Sequence, residues 1–180
     1  MRIGFSGAQG VGKTTLLNAL KLDDSFSNYM FCDEVTRRVK SYGLPINEQG
    51  TDITQRLIMQ EHITNVFLYD SMVTDRTALD GLVYTRYLYG AGKVNSDTLD
   101  FAKKVFSRLI NKYDYLFYIN PEFELVNDGI RSPDESFRDK IALLFNEAIN
   151  SAEYKVWTIS GDVQSRIDQV KNIMFSNQEY

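Results

Sequence analysis

Cysteine occurs once in the 180 residues, at Cys32, which excludes a disulfide framework and any cysteine-rich metal site. Its neighbours Tyr29, Met30 and Phe31 place it on a short buried strand, in a reducing compartment. Histidine also occurs once, at His62, within a helical stretch where packing rather than catalysis is the expectation. No apolar run approaches the roughly 20 residues of a membrane span, so no membrane partner is expected. Positive charge is not in excess. Twenty Lys and Arg face twenty-four Asp and Glu, for a net charge of −4. That argues against a broad, non-specific nucleic-acid footprint while leaving room for a local basic groove. There are no internal repeats, low-complexity tracts or linkers. One domain over residues 1–180, with 43% hydrophobic residues to build its core, is the expectation. The chain opens on strand-like sequence rather than a leader, which points to a cytosolic protein.

What is present is an alternation. Short apolar runs at Arg2 to Ser6, Tyr29 to Cys32, Ser71 to Thr74, Tyr113 to Ile119 and Tyr154 to Ile159 read as five strands. Between them lie helical patterns: Gly12 to Leu20, Val35 to Tyr42, Thr51 to Tyr69, Ala78 to Tyr89, Asp97 to Asn111, a helix begun by Ser132-Pro133, and a last one to about Phe175. Strands alternating with helices predict an α/β fold, a five-stranded parallel sheet with helices on both faces. In such sheets ligands bind beyond the carboxyl ends of the strands.

The first strand runs into Gly7-Ala8-Gln9-Gly10-Val11-Gly12-Lys13-Thr14, with Thr15 after it. This satisfies G-x-x-x-x-G-K-[ST] at every fixed position and lies between a strand and a helix, as that phosphate-binding loop requires. Glycines let the backbone curl around a polyphosphate without Cβ clashes. The helix N-terminus points N–H groups and the positive end of its dipole at the same place. Gly7 to Thr15 are thus the expected nucleotide contacts. Lys13 would reach the β/γ-phosphates and Thr14 would ligate Mg²⁺.

Other charged clusters close the later strands. Asp75, with Arg76 beside it, follows the third strand, as a Mg²⁺ ligand or substrate contact and a bidentate phosphate fork. After the second strand, Glu34 rather than Asp33 is expected to face the γ-phosphate, as base or metal ligand. Arg37 and Arg38 follow it, and Asp80 and Tyr84 lie one helical turn apart beyond Arg76, where they could face an acceptor. Arg131 and Arg138 flank a helix start in a loop that also holds Asp128. They are candidates to close over the phosphates and neutralise charge. Gly161-Asp162-Val163 and Arg166 are candidates to lie beside, or stack on, a nucleotide base.

The phosphate loop, Asp33-Glu34-Val35-Thr36-Arg37-Arg38, Asp75-Arg76-Thr77 with Asp80 and Tyr84, and the stretch from Asp128-Gly129-Ile130-Arg131 to Phe137-Arg138 together resemble a family of small P-loop kinases over essentially the whole chain. This is the NadR-like or AAA-domain group, with many bacteriophage members, related to the deoxynucleoside and thymidylate kinases. The resemblance implies a P-loop kinase fold with a small lid at about 127–140, and transfer of the ATP γ-phosphoryl to a hydroxyl. It also implies Lys13, Glu34, Asp75, Arg76, Arg131 and Arg138 as the catalytic set, with Thr14, Asp75 and Glu34 around Mg²⁺. The acceptor is a nucleoside- or nucleotide-like compound or, as in some phage members, a 5-hydroxymethyluracil base in DNA. A regulatory nucleotide-binding protein with little turnover is a third reading. The 180 residues depart from the pattern of full NadR, with no adenylyltransferase or DNA-binding domain expected among them, and from the thymidylate kinases, whose arginine-rich lid run is replaced by Asp128-Gly129-Ile130-Arg131. The acceptor, the choice between ATP and GTP, and a homodimer stay open.

Overall fold

The computed structural model describes residues 1–122, 135–151 and 154–175. Five parallel strands form one sheet: β1 Arg2–Ser6, β2 Met30–Cys32, β3 Met72–Asp75, β4 Tyr115–Ile119 and β5 Trp157–Ile159, in the order β2-β3-β1-β4-β5. Among the described residues seven α-helices alternate with them: α1 Lys13–Leu20, α2 Val35–Ser41, α3 Asp52–Leu68, α4 Ala78–Gly90, α5 Ser96–Leu109, α6 Glu135–Asn150 and α7 Val163–Phe175. The α/β reading therefore holds, with boundaries moved by a few residues.

The central strands are apolar on both faces because helices cover both. Ile3, Phe5, Val73, Phe117 and Ile119 have no exposed surface. Phe5 stacks on Phe117 across the β1–β4 ladder, ring centroids 5.2 Å apart. Burial of each such side chain contributes about 2 kcal/mol. Helix α1 packs with α7, while α3, α4 and α5 pack on one another. Glycine permits two close approaches. A Cβ on Gly4 would collide with the Thr77 methyl, and one on Gly81 with the Met59 sulfur, so β1 lies tight against the start of α4, and α4 against α3.

Two of the moved boundaries have identifiable reasons. The third strand runs one residue later, because Asp75 still pairs with Phe5 of β1. The fifth shrinks from Tyr154–Ile159 to Trp157–Ile159, the stretch paired with Phe117–Ile119 of β4. The strand order also brings the functional segments together. β2, β3 and β1 are neighbours, so the residues after their carboxyl ends, Glu34, Asp75-Arg76 and the loop from Gly7, converge at one end of the sheet.

Candidate active site

The loop after β1 takes its shape from glycines in the left-handed region, Gly7 at φ 151°, Gly10 at 79° and Gly12 at 88°. Gly12 is the residue before α1, and α1 has no side-chain cap, so its first N–H groups are left for a ligand. Lys13 is buried and donates from Nζ to the carbonyls of Gly7 and Ala8, both at 2.7 Å. Burial, reinforced by Arg76 nearby, lowers the Lys13 ammonium to about 8.

Thr14 Oγ1 donates to Asp75 Oδ2 at 2.6 Å. Asp75 Oδ1 is buried and has no hydrogen-bond partner among the described residues. Burial first, then the negative charge of Glu34, pushes the Asp75 carboxyl above the usual range. A buried carboxylate oxygen lacking a donor, beside a threonine hydroxyl and a phosphate loop, suits a hard divalent cation. Mg²⁺ takes one or two protein oxygens and completes its shell with phosphate and water.

Glu34 and Arg76 form the second half of the site. Arg76 Nε lies 2.7 Å from Glu34 Oε1, with both side chains under a tenth exposed. Arg37 Nε meets the other Glu34 oxygen at 3.1 Å. Burial works to raise the Glu34 carboxyl, but Arg76, Lys13 and Arg37 outweigh it and hold Glu34 well below the usual carboxylate range. Asp33, its neighbour, points outward and pairs with Lys21. Arg76 occupies the left-handed region at φ 75°, a conformation that costs a non-glycine residue about 1–3 kcal/mol. Its backbone N–H donates to Phe5 O, and its guanidinium lies over the Tyr84 ring, 4.9 Å from the centroid. The surroundings thus hold Arg76 in place on both sides.

Asp80 and Tyr84 are drawn into the same cluster. Thr77 caps α4, and Asp80 returns the bond to the Thr77 N–H, completing a capping box. Asp80 Oδ1 also accepts from the Gly7 N–H at 3.3 Å, tying the box to the phosphate loop. Tyr84 donates to Gln9 Oε1 at 2.9 Å. Gln9 is buried, and its Nε2 has no partner among the described residues. Beside this cluster a cavity is lined by Arg76, Asp80 and Tyr84 together with Thr36, Gln55 and His62. Gln55 accepts from Thr85 Oγ1, and His62 is buried with Nε2 unpartnered among the described residues. Burial and the charge of Arg76 lower His62 to about 3, so it is neutral.

Other candidates lie elsewhere. Arg166 does not present a face for stacking. It is 2% exposed, and donates to Val11 O at 2.6 Å and to Glu122 at 3.2 Å, so it braces the phosphate loop from α7. Arg38 pairs with Glu61 on α3. Arg138 lies in the first turns of α6, 3.7 Å from Asp139. The preceding Phe137 packs edge-on against Tyr84 and Tyr87. Arg131, Asp128 and positions 127–134 of the expected lid lie outside the described residues. Gln55 and Glu122 were not singled out as site residues from the sequence, and neither lies in a motif that marks it. Gln9 was expected there only as one of the loop's nucleotide contacts, not as the partner of Tyr84.

The AAA domain family pattern matches residues 2–166. The chain belongs to that family. No curated protein matches it. Solved structures do, as likenesses of fold. One is deoxyadenosine kinase from M. mycoides with dCMP and dCDP bound, 14% identical, with a TM-score of 0.73 over 99% of this chain and 100% of that one. The AAA-domain chain is also similar to NadR in complex with NR, at 18% identity and a TM-score of 0.72, covering 94% of this chain and 50% of NadR. The YorR protein of Bacillus subtilis, in complex with phosphorylated GDP, gives 16% identity and a TM-score of 0.59 over 99% and 96% of the two chains.

Proposed function

We propose that this chain is a kinase that moves the γ-phosphoryl of ATP, with Mg²⁺, to a hydroxyl of a nucleoside- or nucleotide-like acceptor. The observation that carries the reading is the junction of two spaces at Arg76. On one side lie Lys13, Thr14 and Asp75, the equipment for a metal-bound polyphosphate. On the other, Thr36, Gln55, His62 and Tyr84 line a narrow cavity, where their polar groups would meet one end of a polar acceptor. Deoxyadenosine kinase and NadR, whose folds this chain shares, hold nucleotides and NR in their structures, which supports the same class of acceptor.

Catalysis would rest on placement and charge. The loop N–H groups and Lys13 would hold the β- and γ-phosphates, Lys13 leaving the carbonyls of Gly7 and Ala8 to do so. Thr14 and Asp75 would hold Mg²⁺, which neutralises phosphate charge when bound. Glu34 is ionised and fixed by Arg76, so it would orient the acceptor hydroxyl and take up its proton as the oxygen attacks. Arg76 would stabilise the charge developing on the transferred group. Arg131 and Arg138 are proposed to supply further positive charge from the lid. Gln9 Nε2, a buried donor without a partner among the described residues, would bind an acceptor or phosphoryl oxygen.

The test is an acceptor screen with labelled ATP and Mg²⁺ against nucleosides, nucleotides, nicotinamide riboside, and DNA with and without 5-hydroxymethyluracil. Transfer to one free nucleoside-like compound, lost in Lys13→Ala, is the expected result. Transfer only to modified DNA would replace the acceptor. Tight nucleotide binding with no product from any acceptor would replace the kinase by a nucleotide-dependent regulator.

A further inference from the structure

Arg166 is among the largest side chains that the described residues bury, 2% exposed, and the proposed reaction gives it no part. It lies in the first turn of α7. Ile167, Val170 and Met174 follow at helical spacing and are buried, so the helix is anchored in the core and holds Arg166 against the phosphate loop. Taking a guanidinium out of water is costly unless charges or dipoles meet it. This one meets the loop on one side and Glu122 on the other.

Nη1 donates to Val11 O at 2.6 Å. A Cβ on Gly12 would stand 3.0 Å from the same nitrogen, so glycine at that position gives the guanidinium its room. The Val11–Gly12 peptide is trans and planar, so its N–H points away from its C=O. Arg166 holds the carbonyl from behind. The Gly12 N–H is thereby turned to the opposite side, where Gly12, Lys13 and Thr14 line the phosphate pocket and Arg166 does not. Lys13 also holds loop carbonyls, those of Gly7 and Ala8, but would release them to reach a phosphate. Arg166 has no such conflict, because its contact lies outside the pocket. Glu122 Oε2 lies 3.2 Å from Arg166 Nη2 and accepts from the Gly161 N–H at 2.9 Å. The Glu122 side chain is 26% exposed, so water screens the carboxylate more than it screens the enclosed guanidinium.

We infer that Arg166 is a positioning residue for the polyphosphate: it aims the Gly12 N–H at a phosphate oxygen and sets a positive charge behind the loop, which Glu122 moderates. The charge acts through protein rather than water, where Coulomb attraction is stronger. It therefore adds to binding without touching the ligand, and it adds more for each further negative charge the ligand carries. The inference rests on the part of the proposed function that seats a polyphosphate in the loop. It does not depend on the acceptor.

Calorimetric titration of the full chain with AMP, MgADP, MgATP and inorganic tripolyphosphate tests this. Arg166→Met removes the charge and the donor while keeping an unbranched side chain. It is expected to weaken MgATP and tripolyphosphate by about tenfold or more, MgADP by less and AMP hardly at all. Arg166→Lys keeps the charge and is expected to recover part of the loss. Glu122→Gln keeps acceptors for Gly161 and Arg166 but drops the negative charge, so it should tighten MgATP several-fold. Circular dichroism checks that each variant is folded. If Arg166→Met is not, Arg166→Lys and Glu122→Gln carry the test. A pair that serves only as scaffold predicts a different pattern, in which both substitutions lower stability and leave the rise in affinity from AMP to MgATP untouched. Unchanged MgATP affinity in a folded Arg166→Met chain overturns the inference. So does Glu122→Gln that weakens MgATP as Arg166→Met does. Failure of the kinase assignment looks different: tight MgATP binding with no transfer to any acceptor, with the Arg166 effects intact.

Discussion

At Asp75 the two carboxylate oxygens live differently. Oδ2 is satisfied by Thr14, and Oδ1 is buried without a donor among the described residues while burial and Glu34 oppose its charge. The folded chain therefore holds a carboxylate whose ionised form is unfavourable until a cation arrives. Asp75→Asn is expected to leave the ligand-free protein as stable as wild type or a few degrees more so at neutral pH. It should remove the Mg²⁺-dependent part of the thermal shift given by ATP. Differential scanning fluorimetry with and without Mg²⁺ reads both. A second effect belongs to His62. Its folded value of about 3 lies below the unfolded 6.5, so below pH 6.5 the unfolded chain gains a proton that the folded one refuses. Stability falls by about 1.4 kcal/mol per pH unit between those values. Glu34, held low in the fold, is lost in the same direction, so the His62 share is read by difference. Urea titrations from pH 7 to 4 should show a shallower loss for His62→Gln. Curves of equal slope would contradict this. Lys13, Thr14 and Asp75 were legible in the sequence because the loop motif and a strand end are local patterns. Arg166 was misread because its partner, Val11, is 155 residues away, and only the packing of α7 on α1 brings them together.

Single elements meet at the start of α4. The capping box ties Thr77 and Asp80 to each other, Thr77 to Ser6 at 2.7 Å, and Asp80 to Gly7. One helix terminus thus fixes the end of β1 and the first residue of the phosphate loop. Thr77→Ala is expected to cost about 1–2 kcal/mol in stability. Because the loop slackens with the cap, it should also weaken ATP binding several-fold, measured by calorimetry. Destabilisation with unchanged ATP affinity would confine the box to a capping role. The box is spelled out in Thr77-Ala78-Leu79-Asp80, but its bond to Gly7 spans 73 residues and follows only from the pairing of β1 with β3. The same division applies to the strands. Their existence follows from apolar runs, while their ends depend on which neighbour they pair with, as the shortened β5 shows.

The whole molecule should answer to nucleotide as one unit. Ligand at a hundred times its dissociation constant adds about 2.7 kcal/mol, and a chain of this size gains about 2–4 °C per kcal/mol. Lys13 gives that response a pH dependence. Its ammonium sits at about 8 in the free protein, and a bound polyphosphate favours the charged form and raises it. ATP affinity is therefore expected to hold steady below pH 8 and to fall above it, by up to about tenfold per unit. Calorimetric titrations between pH 6.5 and 9.5 check this, and a flat profile would deny Lys13 its part.

The outer strands of the sheet, β2 and β5, have three residues each, and the longer strands lie between them. An open sheet border is a template on which another polypeptide can grow, and its strength scales with the number of backbone groups left facing out. Here that border is almost spent before it begins. The chain should therefore tolerate high concentration without strand-by-strand polymerisation into fibrils.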